Sequence, residues 1–362
     1  MAQPFQRRIL FSLGGGALVL ATTLVLRAQR VPVEAAADPW GAVPPPPQDQ
    51  APAPPTGWGR QIAPPSPEGS TPAGPSVLLP SDPSLRRVGD GRHYPLVPTD
   101  PAQLAQLLVA VEEALRSSFT DPAALPALGH QQQVIYRVLS HKSALADQVR
   151  PSIPPRWLSV YDRHLAARRE FLAMHRGGKK PNTLPAWRIV QPEPPEQLIR
   201  YYKQAEQATG IEWEVLAAVN LVETGMGRID GVSVANAQGP MQFLPTTWAE
   251  AGIGKGNIRD PHDAIQAAAR YLVRRGGLQD IRKGLWGYNN SDHYGRAVLL
   301  YASMIKDDPR AYTGLYHWEI HFGSDAGDLW LPVGYNQPQR ISIPAYLARE
   351  PASAPPPGSS GY

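Results

Sequence analysis

Ile211-Glu-Trp-Glu-Val-Leu-Ala-Ala-Val-Asn-Leu-Val-Glu223-Thr-Gly-Met-Gly227 and, shortly after it, Ser233-Val-Ala-Asn-Ala-Gln-Gly-Pro-Met-Gln-Phe-Leu-Pro-Thr-Thr-Trp248 decide the fold. In the first run Ile211, Val215, Leu216, Val219 and Val222 recur at helical spacing and form one apolar stripe. Glu223 closes that helix, just before Gly225 and Gly227. The second run is a Gly-broken loop that carries two short polar groups, Ser233 and Gln242. A further signature, Gly287-Tyr-Asn-Asn-Ser-Asp292, follows.

Start and stop signals extend the helical pattern on both sides. Pro195 to Thr209 reads as a helix closed by Gly210 at C′. Asp260-Pro261 opens another, with Ala264, Ala268 and Leu272 on one face and Gly276-Gly277 as its stop, and Ser291-Asp292 opens one carrying Tyr294, Val298 and Tyr301. Upstream, Asp100-Pro101 begins a helix faced by Leu104, Leu107, Leu108, Val111 and Leu115, and further helices are expected near 129–148 and 156–176. These make a helical accessory region over 100–190, packed on a catalytic domain at 191–310. His130, His141, His164 and His175 lie in or beside these helices and read as surface or core residues. After Pro309, Tyr316, Trp318, Ile320 and Phe322 alternate with His317, Glu319 and His321, and Leu329, Leu331 and Val333 alternate beyond a Gly-rich turn. That predicts a β-hairpin extension within 311–350 whose polar face is exposed. Residues 351–362 read as a low-complexity, disordered tail.

The 362 residues include 41 Pro and 32 Gly, and the Pro-rich runs at 43–47, 51–55 and 63–67 mark 31–99 as an extended, disordered linker. There is no Cys, which excludes disulfides, thiolate zinc sites, a Cys nucleophile and a lipidated Cys. The net charge of +4 is too small and dispersed for nucleic acid, and suits an anionic polymer or a membrane surface. Ile9 to Leu26 is uncharged and mostly apolar between Arg7-Arg8 and Arg27, long enough to span a bilayer. An uncleaved transmembrane helix within 1–30, with the rest of the chain outside the cell, is expected; secretion after signal cleavage is the alternative.

Glu223 is disfavoured as an anion by the helix C-terminus and, if drawn inward with the apolar stripe, by desolvation. Both effects raise its pKa, as a general acid working near neutral pH requires. An ordinary solvated helix-end Glu is the alternative that position alone leaves open.

The loop resembles the motifs of the lytic transglycosylases of the soluble-lytic-transglycosylase superfamily, and is similar in particular to the membrane-bound lytic transglycosylase B-like branch of actinobacterial type. The family's Glu-Ser pair stands here as Glu223-Thr224, and its Ser-x-x-x-Ala-x-Gly-x-Met-Gln run as Ser233 to Gln242. Phe243-Leu-Pro-Thr-Thr-Trp248, Asp260-Pro-His-Asp-Ala-Ile265, Tyr288-Asn289 and Ser291-Asp-His-Tyr294 continue the match, which covers about 195–305. Ser291 departs from the Gly common at that place.

The resemblance implies a mainly α (α+β), lysozyme-like catalytic domain that cleaves the β-1,4 bond between N-acetylmuramic acid and N-acetylglucosamine in peptidoglycan glycan strands, without a cofactor. Glu223 would protonate the glycosidic oxygen and then act as base on the muramoyl C6 hydroxyl, giving a 1,6-anhydro end. Ser233, Met241, Gln242, Tyr288 and Asn289 would bind and orient the substrate, although Met241 reads equally as core filling, Gln242 as a loop-bonding residue and Tyr288 as a core residue with a satisfied hydroxyl. Asp230, before Gly231, is the nearest candidate for the second carboxylate that ordinary glycosidases need, and turn chemistry accounts for it as well. A hydrolytic muramidase and a catalytically silent wall-binding protein are the competing readings. His317, Glu319 and His321 fall on one strand face, but lack the helical zinc-protease pattern, so no metal is expected.

Overall fold

The computed structural model describes residues 77–175, 177–178 and 180–356. The transmembrane segment expected within 1–30 and most of the Pro-rich linker lie outside these residues. Among the described residues no helix is long and apolar enough to cross a membrane.

Local signals set most helix ends. Helix α1 (Pro101–Arg116) is capped by Asp100, whose carboxylate accepts from the Gln103 N–H at 2.8 Å. The second expected helix is two: α2 (Leu125–His141) and α3 (Ser143–Val149), broken at Lys142. Next come α4 (Pro155–Met174), α5 (Pro195–Thr209) and α6 (Trp213–Thr224), and Gly210 and Gly225 end the last two in the left-handed conformation expected of them. A short turn α7 (Pro245–Trp248) leads to α8 (Pro261–Arg274), capped by Asp260, then α9 (Ile281–Asn289) and α10 (Asp292–Asp307), capped by Ser291. Helices α11 (Ala311–Tyr316) and α12 (Ile343–Arg349) complete the set.

Helix α6 is buried all round from Val215 to Thr224, which marks it as the central helix of the core. It packs against α5, α8 and α10. Helix α4 lies along α10, and its Ala167 and Phe171 join the same apolar core as Leu216, Val219 and Val298. Helix α4, from the region read as an accessory unit, therefore shares the core around α6, because α4 and α10 bury their apolar faces in each other.

Beyond the C-terminal end of α6 lies a second core built by three small antiparallel sheets. Strand β1 (Thr183–Leu184) pairs with β6 (Ile341–Ser342), β2 (Trp187–Ile189) with β3 (Ile229–Gly231), and β4 (Ile320–Ser324) with β5 (Gly327–Leu331). Leu184, Ile189, Ile229, Ile320, Leu329 and Leu331 meet there. The hairpin is present, with Ile320 opposite Leu331 and Ser324 opposite Gly327. It starts later than the alternation suggests, because Tyr316 ends α11 instead. Its polar side is not exposed: Glu319, His321 and Asp328 are buried.

Both ends of the described chain cover that hairpin side. Val88 and Tyr94, read as linker, and Ala352, read as tail, pack with Trp330. Residues 351–353 form a 3-10 turn instead of a disordered tail, and Ser353 is buried with its hydroxyl 3.0 Å from that of Tyr346. A few buried side chains suffice to order segments whose composition is otherwise linker-like.

Candidate active site

Glu223 occupies the last turn of α6 and is 2 % exposed. The Tyr294 hydroxyl, from the first turn of α10, donates to its Oε1 at 2.7 Å. Burial pushes the Glu223 carboxyl up to about 8, and the Tyr294 hydrogen bond pulls the other way. Glu223 lines a cavity of about 350 Å³ together with residues of α2, α4 and the β4–β5 hairpin. A buried carboxyl that is protonated at neutral pH and opens onto a cavity can donate a proton there.

The chain just after Glu223 is stitched to the 233–243 loop. Thr224 Oγ1 donates to the Pro240 carbonyl at 2.6 Å and accepts from the Gly227 N–H at 3.0 Å. Asn220 Nδ2 donates to the same carbonyl at 2.9 Å, and its Oδ1 accepts from the Tyr202 hydroxyl at 2.6 Å. The hydroxyl at 224 thus fixes the loop relative to the acid, a role that Ser and Thr can both fill.

Within the loop, Ser233 Oγ accepts from the Ala235 and Ala237 N–H groups at 3.2 and 2.9 Å, closing a turn on itself. Gln238 and Phe243 exchange two backbone hydrogen bonds, with Gly239 at φ +72° and Gln242 at φ +49° inside the bend. A Cβ on Gly239 would lie 1.9 Å from the Ile258 carbonyl oxygen, so the chain passes where only glycine fits. Gln242 Nε2 donates to the Gly239 carbonyl at 2.9 Å, while its buried Oε1 has no partner among the described residues.

Met241 takes the core position that its sequence left open. It is fully buried in the main core and has no surface to offer a sugar. Its carbonyl accepts from the Tyr288 hydroxyl at 2.7 Å. The Tyr288 ring stacks almost parallel on Tyr294, 6.3 Å between centroids. Asn289 is buried at the end of α9. Met241 and Tyr288 are thereby linked to Glu223 through Tyr294, and the loop through Thr224. Ser233, Gln242, Tyr288 and Asn289 do not themselves line the cavity.

Asp230 lies on strand β3, opposite Arg188, not in a turn. Its carboxylate pairs with Arg188 and, at 3.2 Å, with Arg259. It is engaged as the counter-ion of two arginines, outside the cavity lining.

The hairpin side chains assemble differently from a three-ligand face. Glu319 pairs with Arg92 at 2.8 Å. His321 Nδ1 lies 3.1 Å from Asp328 Oδ2 and its Nε2 lies 2.9 Å from His130 Nε2. Arg137 Nε donates to Asp328 at 2.6 Å. Against the pull of burial, Arg137 and His321 hold the Asp328 carboxyl well below the usual carboxylate range. Asp260, His262 and Asp263 bring ligand atoms together, yet Asp260 caps α8 and Asp263 accepts from the Asn257 N–H at 2.8 Å.

The sequence missed two parts of the site. Tyr294 stood in a matched motif, but nothing in its spacing tied it to Glu223. The cavity walls from α2, α4 and the hairpin come from regions without a catalytic motif, where a 3.6-residue period and strand alternation mark faces but not what those faces enclose.

Residues 200–297 match the family model of the transglycosylase SLT domain, less than half of the chain. No curated protein and no solved structure matches the chain. The segment that matches holds α6, the 233–243 loop, Tyr288 and Tyr294, and the match supports its placement in the lytic transglycosylase superfamily.

Proposed function

We propose that the protein is a peptidoglycan lytic transglycosylase that cleaves the β-1,4 bond between N-acetylmuramic acid and N-acetylglucosamine. The observation that carries this reading is the state of Glu223: buried, raised to about 8, held by one hydroxyl, and open to a cavity. The protonated carboxyl donates its proton to the glycosidic oxygen as that bond breaks. The resulting carboxylate takes the proton of the muramoyl C6 hydroxyl, whose oxygen closes on C1. Atoms balance without water, and the product ends in a 1,6-anhydro ring.

The carboxylates near Glu223 favour this route over hydrolysis. Asp328 and Glu319 line the same cavity, but one is tied to Arg137 and His321 and the other to Arg92. Asp230 is tied to two arginines. Ordinary glycosidases need a second carboxylate as nucleophile or as base for water. Tyr288 and Ser233 hold the 233–243 loop, whose Pro240 carbonyl is tied to Thr224 directly after the acid.

The B-like, actinobacterial subtype and a location outside the cytoplasmic membrane, anchored by Ile9 to Leu26, belong to the same proposal and rest on sequence alone.

Mass spectrometry of sacculi digested with the full chain tests the reading. Anhydromuramoyl ends are expected, and Glu223→Gln is expected to abolish them. Reducing muramoyl ends would make the protein a hydrolase, and no new ends would make it a wall binder.

A further inference from the structure

Much of the polar wall of the cavity beyond Glu223 is taken up by the protein itself. Gln133 bonds the Glu319 backbone with both ends of its amide, at 2.8 Å each. Trp318 Nε1 donates to Gln132, Ser324 Oγ donates to the Gly327 carbonyl, and Asp328 is held by His321 and Arg137. Tyr301 and His175 line the same cavity, and each keeps a polar atom that no described residue meets.

Tyr301 follows Tyr294 by seven residues on α10. That is two turns on and the same face, about 10 Å along the helix from the residue that bonds the acid. Tyr301 is 1 % exposed and its ring is held in place, with Phe171 stacked on it at 6.2 Å and Trp318 edge-on at 5.6 Å. Tyr202, Tyr288 and Tyr294 of the same core each donate to a described acceptor, whereas the Tyr301 hydroxyl has no partner among the described residues. A buried hydroxyl without an acceptor is costly, so a wall residue that keeps one has a ligand to serve. Burial pushes the phenol up to about 12, so at neutral pH it retains its proton and donates.

His175 ends α4, one turn beyond Phe171. Its Nδ1 lies 2.8 Å from the Phe171 carbonyl, which can only accept. Nδ1 therefore carries the proton and Nε2 holds the lone pair. Burial lowers the pKa of the ring and favours this neutral form. Phe171 touches both residues, so a fixed donor and a fixed acceptor adjoin one apolar ring, with Leu172 beside them in the wall. A donor, an acceptor and an apolar surface match a secondary amide: its carbonyl accepts, its N–H donates and its methyl packs. A carboxylate would set a lone pair of its own against Nε2.

Resting on the assignment of Glu223 as the acid acting on a muramoyl glycoside, we propose that Tyr301 and His175 form a subsite for an amide group of that substrate. The Tyr301 hydroxyl donates to the amide carbonyl and His175 Nε2 accepts from the amide N–H. Both residues lie outside the 200–297 segment, so the subsite is not part of the family match. Two amides of the substrate have this chemistry, the N-acetyl group of a sugar and the lactyl–peptide amide of the stem.

Calorimetric titration of the full chain at neutral pH with three soluble probes tests this without turnover. The first is N-acetylglucosaminyl–N-acetylmuramic acid, which lacks the scissile bond. The second is that disaccharide bearing a stem dipeptide, and the third carries a hydroxyl in place of each acetamido group. Tyr301→Phe keeps the ring and removes the donor, and is expected to weaken the probe that holds the partner amide about three- to tenfold. If the partner is N-acetyl, the loss appears with the disaccharide and vanishes with the hydroxyl analogue. If it is the stem amide, the loss appears with the dipeptide probe alone. His175→Ala is expected to weaken the same probe. Unchanged binding of every probe to Tyr301→Phe, or an equal loss for all three, overturns the subsite. The melting temperature of Tyr301→Phe is expected to equal or exceed that of the wild type, and a clear fall would assign the hydroxyl to an internal partner instead. Anhydro ends from sacculi without any amide-dependent loss would sink the subsite and leave the reaction standing. An amide-dependent loss without anhydro ends would do the reverse.

Discussion

The Tyr294 hydroxyl donates a 2.7 Å hydrogen bond to Glu223 Oε1, joining the first turn of α10 to the last turn of α6. Both side chains are buried, so the bond is shielded from water and fixes one carboxyl oxygen. Tyr294→Phe keeps the ring that stacks on Tyr288 and removes only the donor. Turnover is expected to fall by roughly 10- to 100-fold, the range for mispositioning a general acid. Because that bond lowers the Glu223 pKa, its loss should also move the alkaline limb of the pH profile upward. A variant with an unmoved limb and wild-type rate would assign Tyr294 a packing role alone.

The shifted carboxyl links activity and stability to pH. Glu223 is raised from 4.5 to about 8 by burial, so its acid form, and with it turnover, declines as pH rises through about 8. Between those two values the folded protein holds a proton that the unfolded chain has released. Stability therefore falls with rising pH across that window and levels off above it, a loss of about 3 kcal/mol by pH 7. Glu223→Gln retains an acceptor for Tyr294 and carries no charge. It is expected to be inactive yet more stable than wild type at pH 7 to 8, with the two converging below pH 5. Denaturant unfolding at pH 5 and pH 8 checks this, and parallel shifts in both proteins would contradict it.

How far the site was legible depended on whether a residue's role was local. Gly210, Gly225 and the caps Asp100, Asp260 and Ser291 act on their own helix ends, and reading them gave those ends correctly. Glu223 combined a local signal, the helix end, with a loop motif close in sequence. Met241 stayed open between sugar contact and core filling because Gly-x-Met-Gln gives the bend but not which side chains the bend turns inward. Asp230 failed because strands of two or three residues have too little period to see, and its partner Arg188 stands far upstream. The hairpin's polar face was misjudged for a related reason: alternation locates two faces, and only Tyr94, His130 and Arg137, distant in sequence, show that the polar one is covered.

Thr224 carries a prediction about the loop, separate from the acid. Its hydroxyl serves the Pro240 carbonyl and the Gly227 N–H at once, and the residue has no exposure. Thr224→Val is nearly isosteric and leaves the Gly227 N–H without that acceptor. A cost of about 1–3 kcal/mol is expected, with a loss of turnover as the 233–243 loop shifts. Thr224→Ser keeps the hydroxyl and should lie close to wild type in both. Melting curves and product yields for the pair decide it: equal behaviour of Val and Ser would show that shape alone matters at 224.

Gly239 gives a stricter test of the same loop. It sits at φ +72°, and the Cβ of an alanine there would be 1.9 Å from the Ile258 carbonyl oxygen. The obstacle is backbone, so no side-chain rotation relieves it. The bend holds Gln242 at φ +49° and sets the carbonyl that Gln242 Nε2 bonds, so a displaced Gly239 displaces both. Gly239→Ala is expected to destabilise by more than about 2 kcal/mol, combining left-handed strain with overpacking. Activity should fall further than stability accounts for, because the adjoining Pro240 carbonyl is bonded to Thr224, directly after Glu223. Measuring turnover at a temperature where the variant is still fully folded separates the two effects. A folded Gly239→Ala protein with wild-type turnover would show that this bend does not position the substrate.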